Sequence, residues 1–573
     1  MIDLKSKPFL LKEEAEAWVL KTLASMTDEE KLGQLLCPSL AAFTPATQAL
    51  IDTYHVGAVM IRPFEREGLR EHLAELQKNS RIPLLIAANL ENGGVGAVRE
   101  GTLFANPMGC AATGETENGY RLGKISCSEA GCEGVNWAFA PIVDIDQNYH
   151  NPITNVRTFG SDPETVLSFA RAYIRAAGEE GVLPTVKHFP GDGVDERDQH
   201  LLVSVNSLFR GEWEQSFGRI YRTLIGDGVP SVMAAHISAP EVARSLGASE
   251  EDAALPASQS PVLIQKLLRE EMGFNGLVVT DSTLMVGYMQ TMPRRLALPR
   301  SIAAGVDMIL FNRSIEEDAR YLKEGYESGI ITKERLDEAV LRILATKAAR
   351  GLHRGEYIRA HALNEDQKRA WVRGCADRAV TLVKDPRNIL PLSPKNYKRV
   401  YLNVIENTAK NNSPFAKEIK RRFEREGFRV TLRRRAYPFD PNAVTLESIT
   451  PAVNRALSET MCNTDDFVKK YDLAVIVLNI KTASNATVVR VNWNVLFGMG
   501  NDLPWYAGEM PLIAVSFSNP YHLLDIPMAH AYINAYTDND ETLSSVFDKL
   551  MGRSHFEGVS PVDAFCGKYD TRL

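Results

Sequence analysis

The 573-residue sequence lacks several features that would point to a particular class of protein. It has no apolar run of the about 20 residues that a membrane-spanning helix needs. Its N-terminal apolar stretch is too short, and too quickly followed by acidic residues, for a secretory signal peptide. The formal net charge of −7 leaves no basic surplus for nucleic acid. We therefore expect a cytoplasmic protein with no nucleic-acid partner and no membrane contact.

Cysteine is scarce and follows no recognisable pattern. The seven cysteines cannot all pair with one another, and no Cys-x-x-Cys motif occurs. Cys127 and Cys132 lie close together, but no cluster of His or Cys accompanies them. These features indicate free thiols in a reducing compartment and no metal site.

The first 350 residues alternate short apolar runs with amphipathic helical stretches. Eight runs in this length predict a parallel (β/α)8 TIM-type barrel. The runs are Leu32–Ser39, Val56–Ile61, Leu84–Asn89, Trp137–Ile145, Pro184–Phe189, Ser231–Ile237, Leu277–Asp281 and Met308–Asn312. Helical patterns between them include Glu65–Asn79, Pro163–Glu180, Pro261–Met272 and Lys333–Arg350.

The character of the chain changes after Arg350. The stretch 351–373 is charged and reads as a linker with one helix, so we predict a barrel domain over 1–350 and a smaller α/β sandwich domain over 374–573. The strands predicted for the second domain are Ala379–Leu382, Val400–Val404, Val430–Leu432, Leu473–Asn479, Leu512–Ser516 and Ala531–Tyr536.

Polar side chains follow six of the eight apolar runs. In a barrel the carboxyl ends of the strands meet on one face, where catalytic residues sit. Short polar residues also end strands for structural reasons, and we expect that role for Asp144 and His236. The residues at these ends are Asn89, Glu91, Asp144, Asp146, His188, His236, Asp281 and Asn312.

The segment Lys187–His200, KHFPGDGVDERDQH, is the most informative part of the sequence. It runs from the end of the fifth predicted strand into a loop, in which Gly191 and Gly193 permit unusual backbone angles. The loop carries Asp198 and His200 two residues apart. A carboxylate beside an imidazole can hold the ring in one tautomer and tune its pKa for acid–base work.

This segment resembles the signature of bacterial β-N-acetylglucosaminidases of glycoside hydrolase family three. There, Lys-His-Phe-Pro-Gly-His-Gly is followed four residues later by Asp-Ser-His, and the spacing here is the same. The resemblance extends over nearly the whole chain and follows the order of the two-domain members. The other segments that carry it are FAPIVDID at Phe139–Asp146, NVRTFG at Asn155–Gly160, LVVTDSTLM at Leu277–Met285 and KDPRNILPL at Lys384–Leu392.

The resemblance implies a retaining mechanism with no metal or organic cofactor. It makes Asp281 the nucleophile that forms a covalent glycosyl-enzyme, and His200 the acid/base, oriented by Asp198. In this group a His on a loop replaces the second carboxylate of most glycosidases. The residues implied to bind sugar hydroxyls are Lys187, His188 and Arg157.

The sequence departs from the family pattern at three places. Asp192 stands where the family usually has His, and Gln199 replaces a Ser within the Asp-x-His pair. The segment NLENGG stands where the family has Asp-Gln-Glu-Gly-Gly, whose Asp grips the sugar. Either Asn89 or Glu91 could take that part, and the charged acceptor favours Glu91.

Taken together, these features predict an exo-acting retaining β-N-acetylglucosaminidase. Its substrate would be a small carbohydrate, either a chitin oligosaccharide or a sugar derived from peptidoglycan. Three alternatives stay open: a phosphorylase, since a neutral His repels phosphate less than a carboxylate does; a β-glucosidase of the same family; and a non-catalytic sugar-binding protein on a barrel scaffold. The sequence leaves a homo-oligomer possible.

Overall fold

The computed structural model describes residues 2–407, 413–433, 463–481, 484–493, 495–496, 499–500 and 503–573. Its residues group into two compact units. The first unit comprises the chain up to Ala111, Glu115–Trp371 and Ser484–Thr487, and the second comprises Ala112–Gly114 with the described parts of Val372–Ala483 and Val488–Leu573. Within the described ranges, no helix is long and apolar enough to cross a membrane.

The first unit contains eight parallel strands that close on themselves. They are β1 (Leu36–Cys37 and Ser39–Leu40, interrupted at Pro38), β2 (Ala58–Ile61), β3 (Leu85–Ala88), β4 (Trp137–Ala138), β5 (Leu183–Phe189), β6 (Ser231–Ala234), β7 (Leu277–Ser282) and β8 (Met308–Leu310). Each strand pairs with its neighbours in sequence, and β1 pairs with both β2 and β8. The predicted (β/α)8 barrel is therefore confirmed.

Helices surround the barrel strands, and their starts follow simple capping rules. The Thr27 side chain forms a capping box with Glu30, and the Asp162 carboxylate accepts the Thr165 N–H just ahead of Pro163. The α-helices of this region are Glu13–Ser25, Asp28–Gln34, Pro45–Tyr54, Leu69–Asn79, Pro107–Ala112, Glu117–Cys132, Pro163–Glu179, Arg210–Trp213, Arg219–Asp227, Pro240–Ser245, Glu250–Ala253, Val286–Met289, Arg294–Ala303, Ile315–Glu327, Lys333–Ala349 and Glu365–Ala379. π-Helical turns cover Glu214–Gly218 and Val262–Glu271, and 3₁₀ turns cover Gly94–Gly96, Asn155–Arg157, Ala257–Gln259 and Leu352–Arg354.

The second unit is built on a six-stranded sheet. Its strands are β9 (Thr381–Lys384), β10 (Arg399–Glu406), β11 (Arg429–Leu432), β12 (Leu473–Asn479), β13 (Leu512–Ser516) and β14 (Ala531–Asn534). The order is β9-β14-β13-β12-β10-β11, and only β9 runs antiparallel to its neighbour. Successive residues of β10 enter two separate apolar clusters, so both faces of the sheet are covered. The helices of this unit are Pro414–Arg425, Thr464–Lys470 and Asp540–Leu550, with 3₁₀ turns at Trp505–Gly508, His522–Leu524 and Asp570–Arg572.

Two of the predicted barrel runs differ most from the observed strands. The run Leu32–Ser39 begins inside the helix Asp28–Gln34, because its first apolar residues form the buried face of that helix. The run Trp137–Ile145 is regular only over Trp137–Ala138. Pro141 has no N–H to continue the ladder, and beyond it the chain follows β5 through a single hydrogen bond from Val143 N to Lys187 O (2.8 Å).

Candidate active site

The carboxyl ends of the barrel strands bring the predicted site residues to one face. Lys187 and His188 lie near the carboxyl end of strand β5, and the loop that follows carries Asp198 and His200. Asp281 is the fifth residue of β7. Two further residues come from the connections after neighbouring strands: Glu91 follows β3, and Arg157 ends the 3₁₀ turn after β4.

Asp281 presents one free carboxylate oxygen. Its Oδ1 accepts the Ser282 N–H (2.6 Å), while Oδ2 is buried and has no hydrogen-bond partner among the described residues. The nearest imidazole nitrogen is His188 Nε2, 3.8 Å from Oδ2. Burial raises the pKa of Asp281, but the imidazoles of His188, His236 and His200 outweigh burial and hold the pKa below its usual value. The carboxylate is therefore ionised and ready to act as a nucleophile.

His188 is held by a second carboxylate. Asp144, at the irregular end of the β4 run, accepts the His188 N–H at Oδ1 (3.0 Å) and the ring Nδ1 at Oδ2 (2.6 Å). Because an ionised carboxylate only accepts hydrogen bonds, His188 carries its proton on Nδ1, and Nε2 faces Asp281. Asp144 thus supports the site without facing it.

Glu91 forms an ion-pair cluster with both predicted cationic ligands. Arg157 grips it with two hydrogen bonds, Nε to Oε2 and Nη2 to Oε1, each 3.0 Å, and Lys187 Nζ donates to Oε1 (2.7 Å). Burial raises the pKa of Glu91, but the charges and hydrogen bonds of Arg157 and Lys187 lower it much further, to well below its usual range. At the mouth of the barrel, Glu91 thus supplies one negative charge, and Arg157 and Lys187 supply two positive charges.

Asp198 and His200 form a close pair on the loop after β5. The ring Nδ1 of His200 donates to Asp198 Oδ1 (2.7 Å), and the His200 backbone N–H donates to the same oxygen (2.8 Å). The Asp198 side chain is fully buried, whereas 21% of the His200 side chain is exposed. The imidazole therefore presents Nε2 outward while its inner edge is fixed.

Asp198 has a further donor from a distant part of the sequence. The backbone N–H of Asn485 donates to Asp198 Oδ2 (2.6 Å), and residues 484–487 belong to the same compact unit as the barrel. Asn485 adopts a left-handed conformation (φ 69°), which Asn tolerates better than most residues. The sequence gives no sign of this contact, because nothing local links residue 485 to residue 198.

The loop that carries the pair is anchored along its length. Gly191 has a φ of 126°, and a side chain there would collide with the ring of Phe217. Gln199 is fully buried, and its Oε1 accepts the backbone N–H of His236 at the end of β6 (3.0 Å). The backbone carbonyl of His200 accepts the N–H of Val286, after β7 (2.9 Å). Gln199, which replaces the Ser of the resembling family, is thus one of the residues that hold the loop to the barrel.

Asp192, which replaces the His of the resembling family, lies beneath this loop. Its Oδ1 accepts Asn151 Nδ2 (2.9 Å) and the Gly193 N–H (2.7 Å), and its own N–H donates to Asp144 (2.8 Å). Burial and the charge of Asp144 raise the pKa of Asp192 well above its usual value. The side chain therefore supports the loop through its hydrogen bonds to Asn151 and Gly193.

Three polar residues at the strand ends take structural positions. His236 is fully buried between Ser258 Oγ and the Ser282 carbonyl (both 2.9 Å), and burial lowers its pKa to about 4. Asp146 accepts the hydroxyl of Thr154 (2.7 Å), and Asn312 donates to Asp318 (3.2 Å). Of the described residues, no group of three or more His, Cys, Asp or Glu has the arrangement of a metal site.

Comparison with known proteins gives a consistent pattern along the sequence. Residues 27–346 match the model described as the glycosyl hydrolase family 3 N terminal domain. The chain is 42% identical to a protein of Cellulomonas fimi named β-N-acetylglucosaminidase/β-glucosidase, with 100% of both chains covered. It is 28% identical to the β-hexosaminidase A of Pseudoalteromonas piscicida over 54% of this chain and 56% of that protein.

The solved structures that resemble the chain over almost its whole length include the following two. A β-glucoside phosphorylase, BglX, superposes with a TM-score of 0.88 at 42% identity, covering 99% of each chain. A glycoside hydrolase family 3 β-N-acetylglucosaminidase from Paenibacillus sp. str. FPU-7 superposes with a TM-score of 0.76 at 24% identity, covering 94% of this chain and 99% of the other. The second likeness establishes a shared two-domain fold.

Proposed function

The chain belongs to glycoside hydrolase family 3 and is a glycoside hydrolase; from this premise we propose that it releases β-linked N-acetylglucosamine from the non-reducing end of small glycans with retention of configuration. The observation that carries the proposal is the placement of an ionised Asp281 and the Asp198–His200 pair at one barrel face. The choice of sugar is supported by the full-length relative whose name begins with β-N-acetylglucosaminidase.

In the first step, the free Oδ2 of Asp281 attacks the anomeric carbon of the sugar. The bond from that carbon to the leaving oxygen breaks, and His200 Nε2 gives its proton to this oxygen. Asp198 keeps the other ring nitrogen protonated, so that the proton leaves from the side facing the substrate. The product is a neutral glycosyl ester on Asp281.

In the second step, neutral His200 takes a proton from a water molecule. The water oxygen bonds to the anomeric carbon, the ester bond to Asp281 Oδ2 breaks, and the carboxylate is regenerated. Two displacements at one carbon restore the original β configuration. Because Asp281 is buried, bulk solvent screens its negative charge only weakly. That charge therefore stabilises the positive charge that develops on the sugar.

In this proposal, the cluster of Glu91, Arg157 and Lys187 binds the sugar hydroxyls. Glu91 offers anionic acceptors and the two cations offer fixed donors, which suits vicinal hydroxyl groups. The name of the full-length relative also includes β-glucosidase, so glucosides are the alternative substrate. We expect a higher kcat/KM for nitrophenyl β-N-acetylglucosaminide than for the β-glucoside, and equal values would favour a β-glucosidase.

A trapping experiment tests the nucleophile. A 2-deoxy-2-fluoro glycosyl fluoride should inactivate the enzyme and label the peptide containing Asp281, as read by mass spectrometry. Asp281→Asn should lower kcat by at least about 1,000-fold with an unchanged circular dichroism spectrum. Asp146→Asn, at a buried carboxylate that contacts Thr154, is the matched control and should label normally. Label on another residue would refute the proposal.

Phosphorolysis is a second candidate, favoured by the 42% identical structure named as a β-glucoside phosphorylase. A phosphate oxygen would bond to the anomeric carbon as the Asp281 ester bond breaks, giving a sugar 1-phosphate and a free carboxylate. With His in place of a carboxylate acid/base, one negative charge fewer repels the incoming anion. Turnover in the presence of phosphate, with nuclear magnetic resonance of the products, distinguishes sugar 1-phosphate from free sugar.

A further inference from the structure

Arg62 is an exposed cation at the catalytic face of the barrel. It directly follows β2, so it lies at the carboxyl end of the barrel. Its guanidinium carbon stands 5.9 Å from the centre of the Phe311 ring. In the part of the chain that the structure describes, no carboxylate pairs with Arg62, whereas Arg157 and Lys187 share Glu91. Its charge is therefore available to a bound anion.

Phe311 places this arginine over the mouth of the barrel. Phe311 is 7% exposed and follows β8, and the centre of its ring lies 6.4 Å from that of Phe139, which follows β4 on the opposite wall. Rings from opposite walls can meet only across the barrel interior, so Phe311 forms part of the floor of the site. Its carbonyl accepts the hydroxyl of Thr283, two residues beyond Asp281 (2.6 Å).

Arg313 is a second cation of the same kind, two residues after Phe311. It is exposed, and the one hydrogen bond of its guanidinium among the described residues is to the sulfur of Met289 (3.7 Å). Met289 ends the short helix that begins at Val286, whose N–H donates to the His200 carbonyl. Arg313 is thus connected, through Met289 and the helix that begins at Val286, to the loop that carries His200.

We propose that Arg62 and Arg313 bind an oxyanion on the leaving-group and acceptor side of the sugar site. The inference rests on the proposed function, because it assumes that a glycosyl group is transferred from Asp281. The guanidinium fork matches phosphate and carboxylate oxygens in two-point hydrogen bonds. The anion is either free inorganic phosphate or an acidic substituent on the departing part of the glycan.

The charge on Asp281 determines at which step of the reaction the oxyanion binds most tightly. While Asp281 is ionised, it repels an incoming anion in a pocket of low dielectric. Once the glycosyl ester forms, that negative charge is gone and the two arginines dominate the acceptor side. An oxyanion that serves as acceptor thus binds most tightly to the covalent intermediate.

The first experimental arm uses inorganic phosphate with a neutral nitrophenyl glycoside. For each variant, the rate with phosphate is divided by the rate without it. The concentration of phosphate for half-maximal acceleration should rise about tenfold or more in Arg62→Gln and Arg313→Gln. Arg300→Gln is the matched control, since Arg300 is an exposed arginine against the sulfur of Met292, and it should behave as wild type.

The second arm uses a nitrophenyl glycoside whose aromatic leaving group carries a carboxylate. It compares this substrate with the corresponding methyl ester. Wild type should prefer the carboxylate if the anion belongs to the leaving group, and the preference should fall about tenfold in the two variants but not in Arg300→Gln. A response in the first arm alone identifies free phosphate, and one in the second alone identifies an acidic leaving group.

The proposal is overturned if wild type responds in neither arm, or if Arg300→Gln loses as much as the other two variants. Circular dichroism and Tm establish that each variant is folded. Turnover of the neutral glycoside and labelling of Asp281 report separately on the proposed function. A protein that turns over neutral glycosides and ignores both anions would retain that function and refute this inference alone.

Discussion

Among single residues, Asp198 has an unusually complete set of hydrogen-bond donors. Burial raises its pKa, but the ring and backbone N–H of His200 and the N–H of Asn485 together hold the pKa below its usual value. The carboxylate thus stays ionised through the pH range in which an imidazole titrates. Its partner His200 can exchange a proton at Nε2 without losing its orientation.

Loss of His200 should therefore affect substrates unequally. A nitrophenol leaves readily without a proton, whereas a sugar alcohol needs one. In His200→Ala, cleavage of a disaccharide should fall at least about 100-fold more than formation of the glycosyl-enzyme from the nitrophenyl glycoside. The measurement is kcat/KM for both substrates.

Asp198→Ala should give a weaker form of the same pattern, since Asp198 orients the ring and transfers no proton. An equal and small loss on both substrates would instead mean that His200 is a substrate contact, and the acid/base would have to be sought among Asp192, Asp195 and Glu196.

At the scale of secondary-structure elements, Glu91 joins three parts of the barrel rim. Arg157 comes from the turn after β4, Lys187 from β5, and Glu91 from the loop after β3. Only 4% of the Lys187 side chain is exposed, so Glu91 is the hydrogen-bonded counter-ion of a buried ammonium group. The positions of these three proposed sugar-binding side chains therefore depend on one another.

Glu91→Gln should destabilise the barrel and weaken substrate binding together. Removing the charge leaves two partly buried cations without a counter-ion, and we expect a loss of about 3 kcal/mol in the free energy of unfolding. KM for the nitrophenyl glycoside should rise at least about tenfold. Glu65→Gln, which removes the partner of the exposed Arg99, is the control and should change neither quantity measurably. Unaltered KM in Glu91→Gln would leave Asn89 as the sugar ligand.

The elements and the rim residues were predictable from the sequence to different degrees. Strands such as β2, β3 and β6 are wholly buried, so continuous apolar runs mark them. The predicted end of the fourth strand was wrong, because a proline interrupts the ladder of hydrogen bonds between strands without interrupting the apolar pattern. Gln199 and Asn485 could not be assigned, since their partners are chosen by the folded barrel and lie far away in sequence. The roles of Asp281, His200 and Asp198 stay predictions that the experiments above test.

At the scale of the whole barrel, a buried lysine joins the first and last parts of the cylinder. Lys347 lies in the helix Lys333–Ala349 after β8, and its Nζ donates to Gln34 Oε1 in the helix before β1 (2.6 Å). Burial lowers the pKa of Lys347 to about 7. The group is therefore close to half-charged at neutral pH in the folded barrel, and fully charged in the unfolded chain.

Stability should consequently rise with pH above neutrality. Between pH 7 and the usual lysine pKa, the unfolded chain binds one more proton than the folded barrel, so the free energy of unfolding grows by up to about 1.4 kcal/mol per pH unit. Urea unfolding at pH 7, 8 and 9 should reveal this slope in wild type and a flatter one in Lys347→Met. Lys333→Met, at an exposed lysine paired with Asp337, should keep the wild-type slope. Identical slopes in all three proteins would mean that Lys347 stays charged when folded.

The link between Asp198 and Asn485 has a consequence for the newly made protein. A ribosome that has completed the barrel strands and the helix Glu365–Ala379 still has more than 100 residues to add before Asn485 emerges. At about 5–20 residues per second, this takes roughly 5 to 20 s. During that interval a nascent barrel can hold its sugar pocket while Asp198 lacks one of its donors. Full catalytic competence would then arrive late in synthesis, which delays cleavage until the second part of the chain has been made.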